Sequence, residues 1–139
     1  MQDRYLIDKS ALARWTKPDV RDVLTPLHER SLLAVCQPTA YEMIHSARDG
    51  AEAVRISTWL HAFDYLRSDD DTCIRALEVQ RLALAGGAHR ALSPPALLIA
   101  ATAKLNRLTL LHYDGNFDMI ASLTGQPAEW GVPPGTADR

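Results

Sequence analysis

The chain carries YLIDKSAL at residues 5–12 and LTLLHYDGNF at residues 108–117. In each stretch a short apolar run stops on an acid. Tyr5, Leu6 and Ile7 lead into Asp8, while Thr109, Leu110 and Leu111 lead through His112 and Tyr113 to Asp114. A strand buried on both faces reads as such a run, and strands of that kind belong to parallel sheets covered by helices. Parallel sheets bind ligands beyond the carboxyl ends of their strands, so Asp8 and Asp114 can meet there. Two carboxylates together offer hard oxygen donors for a divalent cation.

Working outward, Lys9 to Trp15 reads as a short helix that Pro18 and Asp19 break, and Val20 to Arg30 as another that must take in Pro26. Leu32 to Cys36 reads as a second buried strand. Thr39 to Ala47 is helical and closes at Arg48, Asp49 and Gly50, before a stronger helix with Ile56, Trp59, Leu60 and Phe63 at i, i+3, i+4 and i+7. Tyr65 to Arg67 reads as a brief extended piece. Ser68 to Asp71 offer N-caps for a helix with Cys73, Leu77 and Leu84 on one apolar face, closed by Gly86 and Gly87. A polar loop with His89 and Arg90 follows. Ser93 with Pro94 and Pro95 then starts a helix that runs to about Asn106 and is apolar nearly all round, which makes it central. Leu108 to His112 is the third clear strand, Asn116 to Leu123 the last helix, and Pro127 to Trp130 an edge strand ahead of a Pro/Gly-rich tail at 131–139. Alternating strands and helices predict one α/β domain over residues 1–139, a three-layer α/β/α sandwich with a central parallel sheet and right-handed crossovers.

Composition bounds the function classes. With 47% hydrophobic and 23% charged residues among 139, the chain is an ordinary globular one. Its net charge of −2 argues against a simple basic-patch nucleic-acid binder, although a cluster of acids waiting for a cation would itself lower the charge. Cys36 and Cys73 match no zinc pattern and read as two buried free thiols in a reducing compartment. The polar start from Met1 to Arg4 has no apolar run behind it, and no run approaches membrane-spanning length, so a soluble, cytoplasmic protein is expected. His28, His45, His61, His89 and His112 have no ligand spacing, and no Gly-rich phosphate loop or G-x-S-x-G elbow is present. Lys9, Arg14, Lys17, Arg48, Arg90, Lys104 and Arg107 could line a phosphate path, though most read as solvated.

Each candidate acid has a structural reading beside its functional one. Asp8 is either a metal-binding carboxylate with Ser10 in support or the N-cap of the next helix. Glu42 completes Thr39-x-x-Glu42, a capping box that would engage it locally. Asp114 and Asn116 flank Gly115 and could serve as turn and cap residues. Asp118, in a first helical turn, reads as a solvated residue favoured by the helix dipole. Yet Asp8, Glu42 and Asp114 each follow, or lie just beyond, an apolar strand. Oxygen-only donors suit Mg²⁺ or Mn²⁺, ions that work with phosphates, so phosphodiester hydrolysis is the natural chemistry.

Over nearly its whole length the chain resembles the PIN-domain ribonucleases, especially the VapC toxins of bacterial VapBC toxin–antitoxin pairs. YLIDKSAL at 5–12, Glu42 within TAYEMIHSARD, LLIAATA at 97–103 and LTLLHYDGNFDMIASLTGQPAEW at 108–130 carry the resemblance. It implies a PIN-like sandwich and an Mg²⁺-dependent endoribonuclease toxin that cleaves tRNA or rRNA. It also implies a homodimer, a VapB-type antitoxin that neutralises it, and operator DNA bound only through that antitoxin. Asp8 and Asp114 become metal ligands and Glu42 the acid that orients water or a second ion, with Ser10 and Asn116 in support. The family's third acid stands directly before the LLIAATA-like helix, where this chain has Ala96. A methyl group binds no cation, so an impaired nuclease is expected, or else a non-catalytic PIN fold that binds RNA or antitoxin.

Overall fold

The computed structural model describes residues 3–138 and contains a five-stranded, wholly parallel sheet. Its strands are β1 (Tyr5–Ile7), β2 (Leu33–Cys36), β3 (Asp64–Leu66), β4 (Thr109–His112) and β5 (Ala128–Trp130), in the order β3-β2-β1-β4-β5. The helices are α1 (Lys9–Leu12), α2 (Pro18–Glu29), α3 (Gln37–His45), α4 (Gly50–Leu60), α5 (Asp70–Ala85), α6 (Pro94–Leu105) and α7 (Asn116–Thr124), with one 3₁₀ turn at His89–Ala91. Successive strand side chains fall to opposite faces and meet two separate cores. Leu6, Ala34, Cys36 and Leu110 pack with α5, α6 and α7, and Ile7, Leu33, Val35 and Leu111 pack with α1 to α4. The three-layer α/β/α sandwich is as the sequence predicts. Met1, Gln2 and Arg139, at the ends of the polar N-terminal stretch and of the tail, lie outside the described residues.

Several local expectations are corrected. Pro18 does not separate two helices but starts α2, where its missing N–H costs nothing. Helix α1 is a single turn ending at Leu12, well short of Trp15. Gly50 begins α4, since the Asp49 carboxylate accepts the Glu52 N–H at 2.8 Å. Phe63 lies beyond the end of that helix, yet it still joins Trp15, His28 and Trp59 in an aromatic cluster. Cys36 is buried as expected, whereas Cys73 is exposed. The Pro/Gly-rich tail at 131–138 is anchored at two points. Val132 and Ala137 are buried, the Ala137 N–H donates to the Tyr113 hydroxyl at 3.0 Å, and Arg14 donates to the Ala137 carbonyl at 3.2 Å.

Helix α5 buries Thr72, Ala76, Val79 and Ala83, while Cys73, Leu77 and Leu84 face outward. The small residues are inside because α5 packs closely on α6, itself rich in alanine at the contact. Val79→Ala is therefore expected to cost about 2 kcal/mol in urea denaturation and Leu77→Ala less than about 0.5 kcal/mol.

Candidate functional site

The strand order reverses between β1 and β4, since the chain runs outward through β2 and β3 before returning to add β4 and β5 on the other side. A crevice opens at the carboxyl ends of such a pair. Asp8 follows β1 and its N–H donates to the Leu111 carbonyl at 2.9 Å, which fastens it to β4. Its carboxylate accepts the Ser10 N–H at 2.9 Å while remaining 5% exposed. The cap and the candidate site acid are thus the same residue. Asp114 lies two residues past β4 and accepts the Asn116 N–H at 2.9 Å, which makes Asn116 a turn partner through its backbone. Ser10 joins the two loops, because its hydroxyl also accepts the Tyr113 N–H at 2.8 Å.

Glu42 is freed from the role its local sequence suggests. Helix α3 starts at Gln37, its N-cap is Cys36 without a side-chain bond, and Pro38 occupies the first turn. The Thr39 hydroxyl is instead buried against the Cys36 sulfur at 3.6 Å. No capping box forms, and Glu42, in the middle of the helix, lines a cleft with Lys9, Tyr41 and His45.

The acids act on one another. Burial raises the Asp8 carboxyl above its ordinary pKa; the Ser10 hydrogen bonds oppose this, and Asp114 adds to it. Burial and then Asp8 raise Glu42, and Lys9 pulls it the other way. Behind them burial holds the Cys36 thiol at about 11, so it stays protonated and inert at neutral pH.

Ala96 occupies the first turn of α6, where the Ser93 hydroxyl accepts its N–H at 3.2 Å. Helix α6 leads back into β4 and therefore runs against the strands, which puts its first turn at the carboxyl end of the sheet with Asp8 and Asp114. That position carries only a methyl group. Among the described residues no three His, Cys, Asp or Glu side chains converge as a set that could hold a metal ion. As they stand, the residues present do not fit a complete cation site.

Two supports were not legible as such in the sequence. His112, fully buried between Phe117 and Trp130, accepts the Asp114 N–H on Nδ1 at 3.2 Å. Its place two residues before a strand-end acid is the only sequence signal. Burial lowers its pKa, although Asp118 works against this, and its Nε2 is 3.8 Å from the Asp118 carboxylate. Asp118 is half-exposed, but not merely solvated, because it accepts the Trp130 indole N–H at 3.0 Å. Arg14 and Arg48 are not free phosphate-path cations. Arg14 donates to the Ser10 carbonyl at 2.7 Å and lies over the Tyr113 ring, while Arg48 pairs with Glu52 at 2.8 Å.

A sequence model of the PIN domain matches residues 5–123. Ribonuclease VapC51 of Mycobacterium tuberculosis is 44% identical over 135 residues, 97% of this chain and 98% of that protein. Ribonuclease VapC21 of the same organism is 43% identical over 138 residues, 99% and 100% of the two chains. The chain belongs to the PIN-domain family, in its VapC group. Among solved structures, the DNA-bound VapBC from Salmonella typhimurium superposes at TM-score 0.74 with 16% identity, over 94% of this chain and 100% of that one. VapBC2 from Rickettsia felis, bound to a promoter fragment, also gives 0.74 with 16% identity, over 91% and 97%. At such identities the likeness is one of PIN fold.

In this PIN domain the raised carboxyls carry a stability cost with a definite sign. A folded-state pKa above the unfolded one favours the protonated, folded protein, so that stability is present at low pH and lost as pH rises through the folded value. Asp8→Asn keeps an oxygen to accept the Ser10 N–H and removes the buried charge. In chelator at neutral pH it should raise the thermal midpoint, by a margin that shrinks as pH is lowered through the carboxylate range. A lowered midpoint would show that the Asp8 charge stabilises the fold.

Proposed function

We propose that the chain belongs to a lineage of Mg²⁺-dependent toxin endoribonucleases that cleave tRNA or rRNA, and that it cuts RNA at most weakly because Ala96 leaves the acid site one donor short. The single observation that carries this is that Asp8 and Asp114 follow β1 and β4, the strands at which the order reverses, near enough to Glu42 to raise its pKa, while position 96 on the first turn of α6 offers only a methyl group. The ribonuclease names of relatives 43–44% identical over nearly the full chain support the nuclease lineage. Mg²⁺, or Mn²⁺ in its place, would polarise a phosphoryl oxygen and lower the pKa of a water when bound in a complete site. The chain's own residues have narrower tasks. Asp8 and Asp114 hold oxygens at the strand ends, the Ser10 N–H holds the Asp8 carboxylate, His112 holds the Asp114 backbone, the Asn116 N–H holds the Asp114 side chain, and Glu42 would orient a water.

The partner follows from the same relatives. Solved neighbours include two DNA-bound VapBC complexes and a DNA-bound FitAB, which supports a VapB-type antitoxin for this chain and operator DNA reached through it; a homodimeric toxin is part of the same proposal. An apolar groove of about 610 Å³, lined by Leu12, Trp15, His28, Met43 and Trp59 among others, is a fitting seat for an antitoxin segment. Among the described residues no helix is long and apolar enough to cross a membrane, in keeping with a cytoplasmic toxin.

Ala96→Asp tests the nuclease reading. Mg²⁺-dependent cleavage of purified tRNA and rRNA should rise by roughly 10–100 fold or more, since even an indirect metal partner is worth that much. Unchanged cleavage rejects the proposal. Ala96 itself favours a second reading, a PIN fold that binds RNA or antitoxin without cutting. Growth arrest on expressing Ala96→Asp but not the parent chain separates a nuclease short of one acid from that binding protein.

A further inference from the structure

We propose that the cleft beside Glu42 seats one nucleotide of single-stranded RNA, with the Tyr41 ring as the platform for the base and the Lys9 ammonium as the counter-charge for its phosphate. This rests on the ribonuclease reading and specifies how its substrate enters. The cleft has a volume of about 290 Å³ and is lined by Lys9, Tyr41, Glu42 and His45. Helix α3 sets Tyr41 and His45 one turn apart on the same side, with Glu42 beside them. Tyr41 is 67% exposed, an unusual outlay of aromatic surface next to an acid site. Lys9 directly follows Asp8 and takes part in none of the ion pairs found among the described residues. A cation left unpaired between acids is placed to admit an anion that Asp8 and Glu42 would otherwise repel.

The same chemistry continues away from the acids. Tyr65, on edge strand β3, stacks face to face on His61 with ring centroids 4.5 Å apart and planes 9° from parallel. Tyr41 and Arg67 both lie close enough to act on the Tyr65 phenol, which burial above all holds above its ordinary range. Tyr41 thus links the cleft beside Glu42 to the neighbourhood of Tyr65, His61 and Arg67. Unpaired bases stack on such rings and their phosphates on such cations, whereas a duplex keeps its base faces covered. A protein segment has a better seat in the Trp15/Trp59 groove, whose lining contains no lysine or arginine.

The test uses the full chain and a 5′-fluorescein-labelled, mixed-sequence 12-nucleotide RNA, with affinity read by fluorescence anisotropy in EDTA so that nothing is cut. Tyr41→Ala should weaken binding about tenfold and Tyr41→Phe by less than about twofold, the pattern of one stacked base. Lys9→Gln should weaken binding and flatten the dependence of log affinity on log salt by about 0.7, one single-strand phosphate contact. Arg81→Gln, an equal loss of charge on exposed α5, should leave both unchanged. Tyr41 is exposed, so a melting curve matching the parent's excludes loss of fold. Equal RNA affinity of parent and Tyr41→Ala overturns the subsite and leaves the nuclease reading standing, since cleavage by Ala96→Asp decides that separately. Failure of the parent to bind the 12-mer also overturns it, as does a Tyr41→Ala form that binds RNA normally but no longer co-purifies with its antitoxin.

Discussion

The pairing of β1 with β4 is the constraint on which the rest of the molecule depends. Tyr5, Leu6 and Ile7 register against Thr109, Leu110 and Leu111, although about a hundred residues separate them in sequence. The pairing runs on past the strand ends through the Asp8 N–H to the Leu111 carbonyl and the Tyr113 N–H to the Ser10 hydroxyl. Without it the two acids would stand in unrelated loops. With it they share one crevice, and α6, which must return to start β4, brings residue 96 to the same end of the sheet.

That geometry places like charges together under low exposure, which water and hydrogen bonds relieve only in part. Asp8 and Glu42 have raised pKa values because burial above all disfavours their charged forms, with Asp114 adding to both and Asp8 adding to Glu42. A cation would remove this tension, and a fourth oxygen donor would help to hold it. On the proposed reading, the stability this arrangement costs is offset when a cation binds. The scaffold around the acids is correspondingly firm. Arg14 holds the Ser10 carbonyl, stacks on Tyr113 and reaches the C-terminal segment at Ala137, so residues from both ends of the chain brace one turn.

The strands and their acids were legible because buried parallel strands compress into short apolar runs, and Asp8 and Asp114 follow two of them directly. Other features depend on tertiary context. Thr39 and Glu42 spell a capping box, yet Pro38 pulls the helix start forward and removes the cap that the box would need. The buried stripe of α5 consists of Thr72, Ala76, Val79 and Ala83 rather than its leucines, because close packing on α6 admits small side chains and excludes large ones. His112 looked like one scattered histidine until the β4 register put its ring under the Asp114 amide. Tyr41 carried no signal either, since an aromatic on a helix reads as core until the other side of that helix is seen to be the buried one.

The central proposal is that Asp8, Glu42 and Asp114 are what remains of a cation site that lacks its donor at position 96. Calorimetric titration of Mn²⁺ into the parent chain and into Ala96→Asp at neutral pH measures that claim without reference to RNA. Binding that tightens by roughly 10–100 fold or more on restoring the carboxylate is the predicted result. Equal Mn²⁺ affinity in the two proteins, or tighter binding by the parent, would contradict it.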